Sequence, residues 1–138
     1  MTDHRIGYLI KGVQQAIRRT MDEELRPLEL STSQYSTLSM LENSPQLSNA
    51  ELARACFVTP QTMLQLIKTL ERQGWLERRP HPDHGRIIQT HLTDSGRALL
   101  SQAHGLVNQM EAKMLTDLSD AQQQQLALAL RRCEQNLR

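Results

Sequence analysis

The stretch SNAELARACFVTPQTMLQLIKTLER, residues 48–72, reads as two short helices joined by a turn. Ser48 and Glu51 have the spacing of a capping box. The serine hydroxyl accepts from the third helical amide, and the carboxylate reaches back to the cap amide. Leu52, Ala53 and Cys56 follow on one side of the helix. Thr59 is a good N-cap, and Pro60 takes the first helical position, where its missing N–H is not needed. Met63, Leu66, Ile67 and Leu70 recur at helical spacing, and Gly74 is a natural stop. A helix–turn–helix needs apolar residues at set offsets on both helices to hold them at one angle. Leu52, Cys56, Val58, Met63 and Leu66 have those offsets, and Ala53 is small where the helices approach. Phe57 departs from the pattern, because many such turns carry Gly to relieve a strained backbone.

Downstream the period changes. Trp75–Arg79 and Ile87–Leu92 read as two short strands, separated by the turn-rich Pro80-His81-Pro82-Asp83-His84-Gly85. Thr93 or Asp94 opens a long helix with Leu99, Ala103, Leu106, Met110 and Met114 on one stripe. A last helix from near Ser119 carries Leu126, Leu130, Cys133 and Leu137. Upstream, Ile6, Leu9, Ile10, Val13, Ile17, Met21 and Leu25 define an amphipathic helix ending near Pro27. A second helix, from Thr32 or Ser33 to Glu42, places Tyr35, Leu38 and Leu41 on one face. The fold class is therefore mainly α with a small β-hairpin: a winged helix-turn-helix core, about residues 31–94, flanked by N- and C-terminal dimerisation helices, about 1–30 and 95–138. Three long amphipathic helices outside so small a core would expose much of their apolar stripes in a monomer, which points to a homodimer.

Composition agrees with a single subunit spanning the 138 residues: 38% apolar, 22% charged and only 3% aromatic, a balance that favours an aliphatic helical core. No apolar run is long enough to span a membrane. The polar start Met1-Thr2-Asp3-His4-Arg5 is unlike a signal peptide, so the expected location is cytoplasmic. Two distant cysteines exclude a disulfide scaffold. The net charge of +1 does not announce a nucleic-acid partner, but residues 46–93 carry six basic and four acidic groups and three of the five histidines. There is no Gly-rich phosphate loop, GxSxG or HExxH, so an enzyme is not expected and no cofactor is implied.

The outward face of the helix after Thr59 shows Gln61, Thr62, Gln65, Lys68, Thr69 and Arg72. These are hydrogen-bonding side chains with cations further along and no carboxylate before Glu71, which suits a helix whose N-terminus enters a major groove. The chain resembles the MarR family of winged helix-turn-helix transcription regulators across nearly its whole length. The resemblance rests on Leu30-Ser31-Thr32-Ser33-Gln34-Tyr35, Glu51-Leu52-Ala53 and Leu66 to Arg78. The family's hairpin signature falls on His84-Gly85-Arg86 with Leu92-Thr93-Asp94-Ser95-Gly96. His84 stands where the family usually has an Asp that orients the wing arginine. Either Asp83 substitutes from one position earlier, or Arg86 is held less firmly.

That resemblance implies roles for particular residues. Thr59, Pro60, Gln61, Thr62 and Gln65 would lie at the groove-facing start of the recognition helix, with Gln61 and Gln65 able to pair with adenine edges. Lys68 would neutralise a phosphate, and Arg86 would enter the minor groove. Ser33, Gln34 and Ser36 are candidate phosphate donors, and His84 is a further wing contact. At most one of Arg78 and Arg79 faces DNA, because they alternate on a strand. The implied function is a dimeric repressor on a palindromic operator of double-stranded DNA, released by a small aromatic or phenolic effector. The effector pocket would be lined by Ile10, Val13, Ile17, Tyr35, Leu38 and the fifth helix. Titration of the wing histidines would strengthen DNA binding in acid.

Two other readings stay open. One is a winged-helix protein-interaction module without DNA binding. The other is a thiol- or metal-responsive DNA-binding sensor. Cys56 reads as a small buried hydrophobe, and Cys133 as interface packing. His81, Asp83, His84 and His91 lack the spacing of a familiar zinc site, so no metal is assigned.

Overall fold

A computed structural model describes residues 5–138; the polar start from Met1 to His4 lies outside them. The elements are α1 (Ile6–Leu25), a 3₁₀ turn (Arg26–Leu28), α2 (Thr32–Asn43), α3 (Asn49–Ala55), α4 (Pro60–Arg72), β1 (Leu76–Pro80), β2 (Ile88–Leu92), α5 (Asp94–Met114) and α6 (Asp120–Asn136). The chain divides into two compact units between Val107 and Asn108. In the first unit α1 packs on α2 and buries Met21 and Leu25.

Caps define the helix starts. Ser31 with Gln34, Ser48 with Glu51 and Ser119 with Gln122 each form a complete capping box, and the Thr59 side chain accepts the Thr62 amide ahead of Pro60. Inside the first unit, Leu25, Leu38, Leu41, Leu52, Met63, Leu70, Leu92 and Leu100 are wholly buried. Two details of the sequence reading are corrected. Cys56, Val58 and Leu66 are half-buried rather than core. In α5 it is Leu100 that is sealed, while Leu99 is half-buried. That helix has a second apolar stripe, Gly96, Leu100 and Ala103, which serves the winged core. The stripe through Leu99 lies one residue round from it.

β1 and β2 form an antiparallel hairpin with Leu76 opposite Leu92 and Pro80 opposite Ile88. Both strands begin one residue later than expected. The Trp75 amide is already used by the Leu70 carbonyl at the end of α4, and Pro80 is tolerated at the far end of the ladder. The base of the hairpin is clasped to α5. Thr93 Oγ1 donates to the Gly74 carbonyl at 2.7 Å, the Thr93 amide donates to the Trp75 carbonyl at 3.1 Å, and the Gly96 amide donates to Thr93 Oγ1 at 3.0 Å.

Gly96 has no alternative at this junction. A Cβ built there would lie 2.2 Å from the Trp75 carbonyl oxygen, which is fixed backbone. Gly96→Ala should therefore destabilise the protein by roughly 1–3 kcal/mol, the scale of an overpacked core site. Urea unfolding at fixed protein concentration reads this; an unchanged midpoint would mean that α5 shifts without penalty.

Candidate nucleic-acid interface

α4 separates its two faces by helical geometry. Met63, Ile67 and Leu70 point into the core, while Gln61, Gln65, Lys68 and Arg72 follow one another at four, three and four residues on the exposed side. Among the described residues none of these four makes a hydrogen bond or ion pair, so their donors and acceptors face outward uncommitted. Thr59 and Thr62 are occupied differently. The Thr59 hydroxyl donates to Thr62 Oγ1 at 2.9 Å while accepting the Thr62 amide, so Thr59 holds the start of the helix. Asn49 Nδ2 donates to the Pro60 carbonyl at 3.0 Å and ties the first turn of α4 to the start of α3. The sequence reading did not single out Asn49, although a polar residue beside a cap is a visible signal.

The start of α2 is the second candidate surface, and α1 holds it. Asp22 Oδ1 accepts from the Thr32 amide at 3.0 Å and from the Thr32 hydroxyl at 2.5 Å. Arg18 Nη2 donates to Ser33 Oγ at 3.5 Å. Gln34 spends its carbonyl oxygen on the Ser31 amide, which leaves its NH₂ to donate. Ser33, Gln34 and Ser36 are all half-buried.

The wing loop is organised by His81. Its Nδ1 accepts from the amides of Asp83 at 3.0 Å and His84 at 3.2 Å, while the His81 amide donates to the Ile87 carbonyl at 2.7 Å. An imidazole that accepts at Nδ1 carries its hydrogen on Nε2. Arg86 is exposed and, among the described residues, has no bonded partner, so Asp83 does not stand in for the missing family carboxylate. His84 is exposed too. Arg78 pairs with Glu71 at 2.9 Å and Arg79 with Glu77, which leaves neither as an uncommitted cation.

The residues assigned to an effector pocket are not alike. Ile10 and Val13 are exposed on α1 and Ile17 is half-buried, but Leu38 is sealed in the core and lines no open space. Tyr35 takes part in a relay that sequence spacing does not reveal. Its hydroxyl lies 2.7 Å from His104 Nδ1, and His104 Nε2 lies 3.2 Å from Glu42 Oε1. A carboxylate can only accept, so Nε2 carries a hydrogen, and in the neutral imidazole Nδ1 then accepts from the phenol. The relay joins α2 to α5 within the first unit. Burial pushes the Cys56 thiol up from its ordinary value, which makes it a poor nucleophile; Cys133 is exposed. Among the described residues no three metal-ligating side chains come together, and no helix is long and apolar enough to cross a membrane.

A helix–turn–helix with an uncommitted polar row on its second helix and a hairpin behind it is the architecture of a DNA-binding regulator. The pattern that defines the MarR family matches residues 28–87. The HTH-type transcriptional repressor Rv2887 of Mycobacterium tuberculosis is 37% identical over 123 residues, covering 89% of this chain and 88% of its own. The multiple antibiotic resistance protein MarR of Escherichia coli is 31% identical over 104 residues, covering 75% of this chain and 72% of its own. A crystal structure of the M. tuberculosis protein in complex with p-aminosalicylic acid superposes with a TM-score of 0.78 at 34% identity, covering 94% of this chain and 98% of that one. The chain belongs to the MarR family, whose members are transcription regulators that bind DNA and dimerise.

The carboxylate that positions α2 gives this surface a pH signature. Hydrogen bonds from the Thr32 hydroxyl and amide, helped by Arg18 and Arg26, hold the Asp22 carboxyl below its ordinary value. A depressed folded pKa contributes stability above the unfolded pKa that is lost as pH falls through the folded one. Asp22→Asn should therefore lower the urea midpoint at pH 7, and the two proteins should converge as pH falls through the ordinary carboxylate range and below it. A gap that stays constant with pH would deny Asp22 this role.

Proposed function

We propose that this protein is a homodimeric transcriptional repressor whose α4 lies in the major groove of a palindromic operator, and whose DNA affinity is lowered by a small aromatic acid. The observation that carries the reading is the uncommitted row Gln61, Gln65, Lys68 and Arg72, set on a helix that Thr59 caps and whose opposite face is buried. Gln61 and Gln65 offer the paired donor and acceptor that match an adenine edge, and Lys68 and Arg72 supply charge for the phosphates along the groove wall. Arg86 on the exposed wing reaches towards the adjacent minor groove. Thr59 and Pro60 fix the groove-facing end, and the NH₂ of Gln34 with the hydroxyls of Ser33, Ser36 and Thr62 adds donors. His84 is a weaker wing contact.

Ile6, Leu9, Ile10 and Val13 on α1, Leu126 and Leu130 on α6, and Leu137 just past its end are exposed in the single chain and are the surfaces assigned to the second copy. Two recognition helices related by a two-fold axis would read half-sites about 34–36 Å apart. The effector assignment is supported by the relative crystallised with p-aminosalicylic acid. Such a ligand acts only as far as it prefers the dimer spacing that does not fit DNA. The protein is a binding protein rather than an enzyme, and it works where its DNA is, in the cytoplasm.

The test is fluorescence anisotropy on DNA from upstream of the protein's own gene, backed by duplexes selected from random sequence. Gln65→Ala should cost about 1–3 kcal/mol of discrimination against scrambled DNA. Lys68→Gln should weaken binding to all sequences alike, and it should flatten the salt dependence by about 0.9 per lost phosphate contact. Equal binding of operator and scrambled DNA would remove the specific-regulator reading. Adding p-aminosalicylic acid should release the wild-type complex; a complex indifferent to millimolar ligand would remove the effector class.

A further inference from the structure

Phe57 carries two unfavourable features at once. Its backbone lies in the left-handed region with φ 58°, where a side chain with a Cβ is strained and glycine is not. The residue is 91% exposed, so almost no burial offsets that strain. The turn uses only its backbone: the Phe57 amide donates to the Arg54 carbonyl at 3.2 Å, a bond that glycine would make equally well. Neither packing nor hydrogen bonding within the chain accounts for a phenyl ring here. A strained, exposed residue of this kind points to a contact outside the chain.

Its place in the fold says which contact. Phe57 is two residues before Thr59, the N-cap of α4, so its Cα lies within about 7 Å of the end of the helix that enters the groove. Thr59, Pro60, Gln61 and Thr62, the neighbouring residues in the proposed DNA face, are all exposed as well. The apolar groups of a major groove are the thymine C5-methyls, which apolar side chains, phenylalanine among them, contact. We propose that Phe57 packs against thymine methyl groups at the edge of each half-site and adds a preference for thymine there. The inference rests on the reading of α4 as the recognition helix, and it deepens that reading by naming a specificity residue outside the helix.

The experiment is a cycle between protein and DNA. A duplex selected from random sequence by the wild-type dimer is prepared with thymine and with deoxyuridine throughout, which removes only the methyls. Each form is titrated with wild type, Phe57→Gly and Gln65→Ala. Deoxyuridine should weaken wild type by about fourfold per lost methyl contact. Phe57→Gly should bind the thymine duplex more weakly than wild type and lose most of the deoxyuridine penalty. Its melting temperature should nonetheless rise by a few degrees as the strain is relieved. Stability and affinity moving in opposite directions cannot come from partial unfolding. A full deoxyuridine penalty in Phe57→Gly, or wild-type affinity in that variant, overturns the assignment. Dissociation of the Phe57→Gly dimer in sedimentation would place the ring at a protein interface instead, and also overturns it. If Gln65→Ala also binds as wild type does, or no duplex is enriched, the recognition-helix reading itself has failed, and this inference falls with it.

Discussion

The bonds from Thr93 to the Gly74 and Trp75 carbonyls bring the end of α4, the base of the hairpin and the start of α5 to one point. Ser95 adds a second hydroxyl on the same Gly74 oxygen at 3.1 Å. These carbonyls lie just past a helix end, where acceptors would otherwise go unmet. The threonine also caps the next helix by accepting the Gly96 amide. One residue, through its hydroxyl and its amide, therefore meets groups just past α4, just ahead of β1 and in the first turn of α5, and fixes the direction in which each leaves. The position of the wing relative to the recognition helix depends on that clasp, and Gly96 leaves room for it. The signature Leu92-Thr93-Asp94-Ser95-Gly96 is in this sense a joint, and its residues need not touch DNA to govern how DNA is met.

α4 shows how one helix serves two demands. Its buried row is Met63, Ile67 and Leu70 and Thr59 caps its start, so the fold asks nothing of the outward row. The outward side chains are then at liberty to be chosen for a partner. Around them the chain disposes of competing charge by pairing Arg78 with Glu71 and Arg79 with Glu77. Exposed pairs of this sort add little stability. They do remove two cations that would otherwise attract DNA without regard to sequence.

Much of this was legible in the residues. The Ser48–Glu51 capping box and the proline after Thr59 locate helix starts because they solve a local problem, the unmet amides of the first turn. Helical spacing identified Leu52, Met63, Ile67 and Leu70 as core for the same local reason. The errors lie where two elements meet. Leu99 and Leu100 both belong to apolar stripes, and only the approach of α5 to Trp75 decides which is sealed. Leu38 was read as lining a pocket, yet the packing of α2 buries it completely. His81, His104 and Glu42 gave no periodic signal, since their roles depend on distances between residues far apart in sequence or on the conformation of one loop. Arg86 was legible as a wing residue, but its lack of a carboxylate partner was a choice between two readings that only coordinates could make.

The wing has a consequence in entropy. His81 fixes the loop backbone through two amide bonds, whereas the exposed Arg86 side chain is not tethered. On meeting a duplex, little backbone freedom remains to be lost, and the ordering falls mostly on the arginine's own rotamers. A guanidinium that a carboxylate had aimed in advance would bind one groove shape well and others poorly. An untethered one gives up part of that gain and adapts to grooves of different width. With Arg86 in the minor groove as proposed, tolerance of varied sequence at the flanks of the operator would follow from the missing carboxylate, and the burden of discrimination would shift to the centre of each half-site.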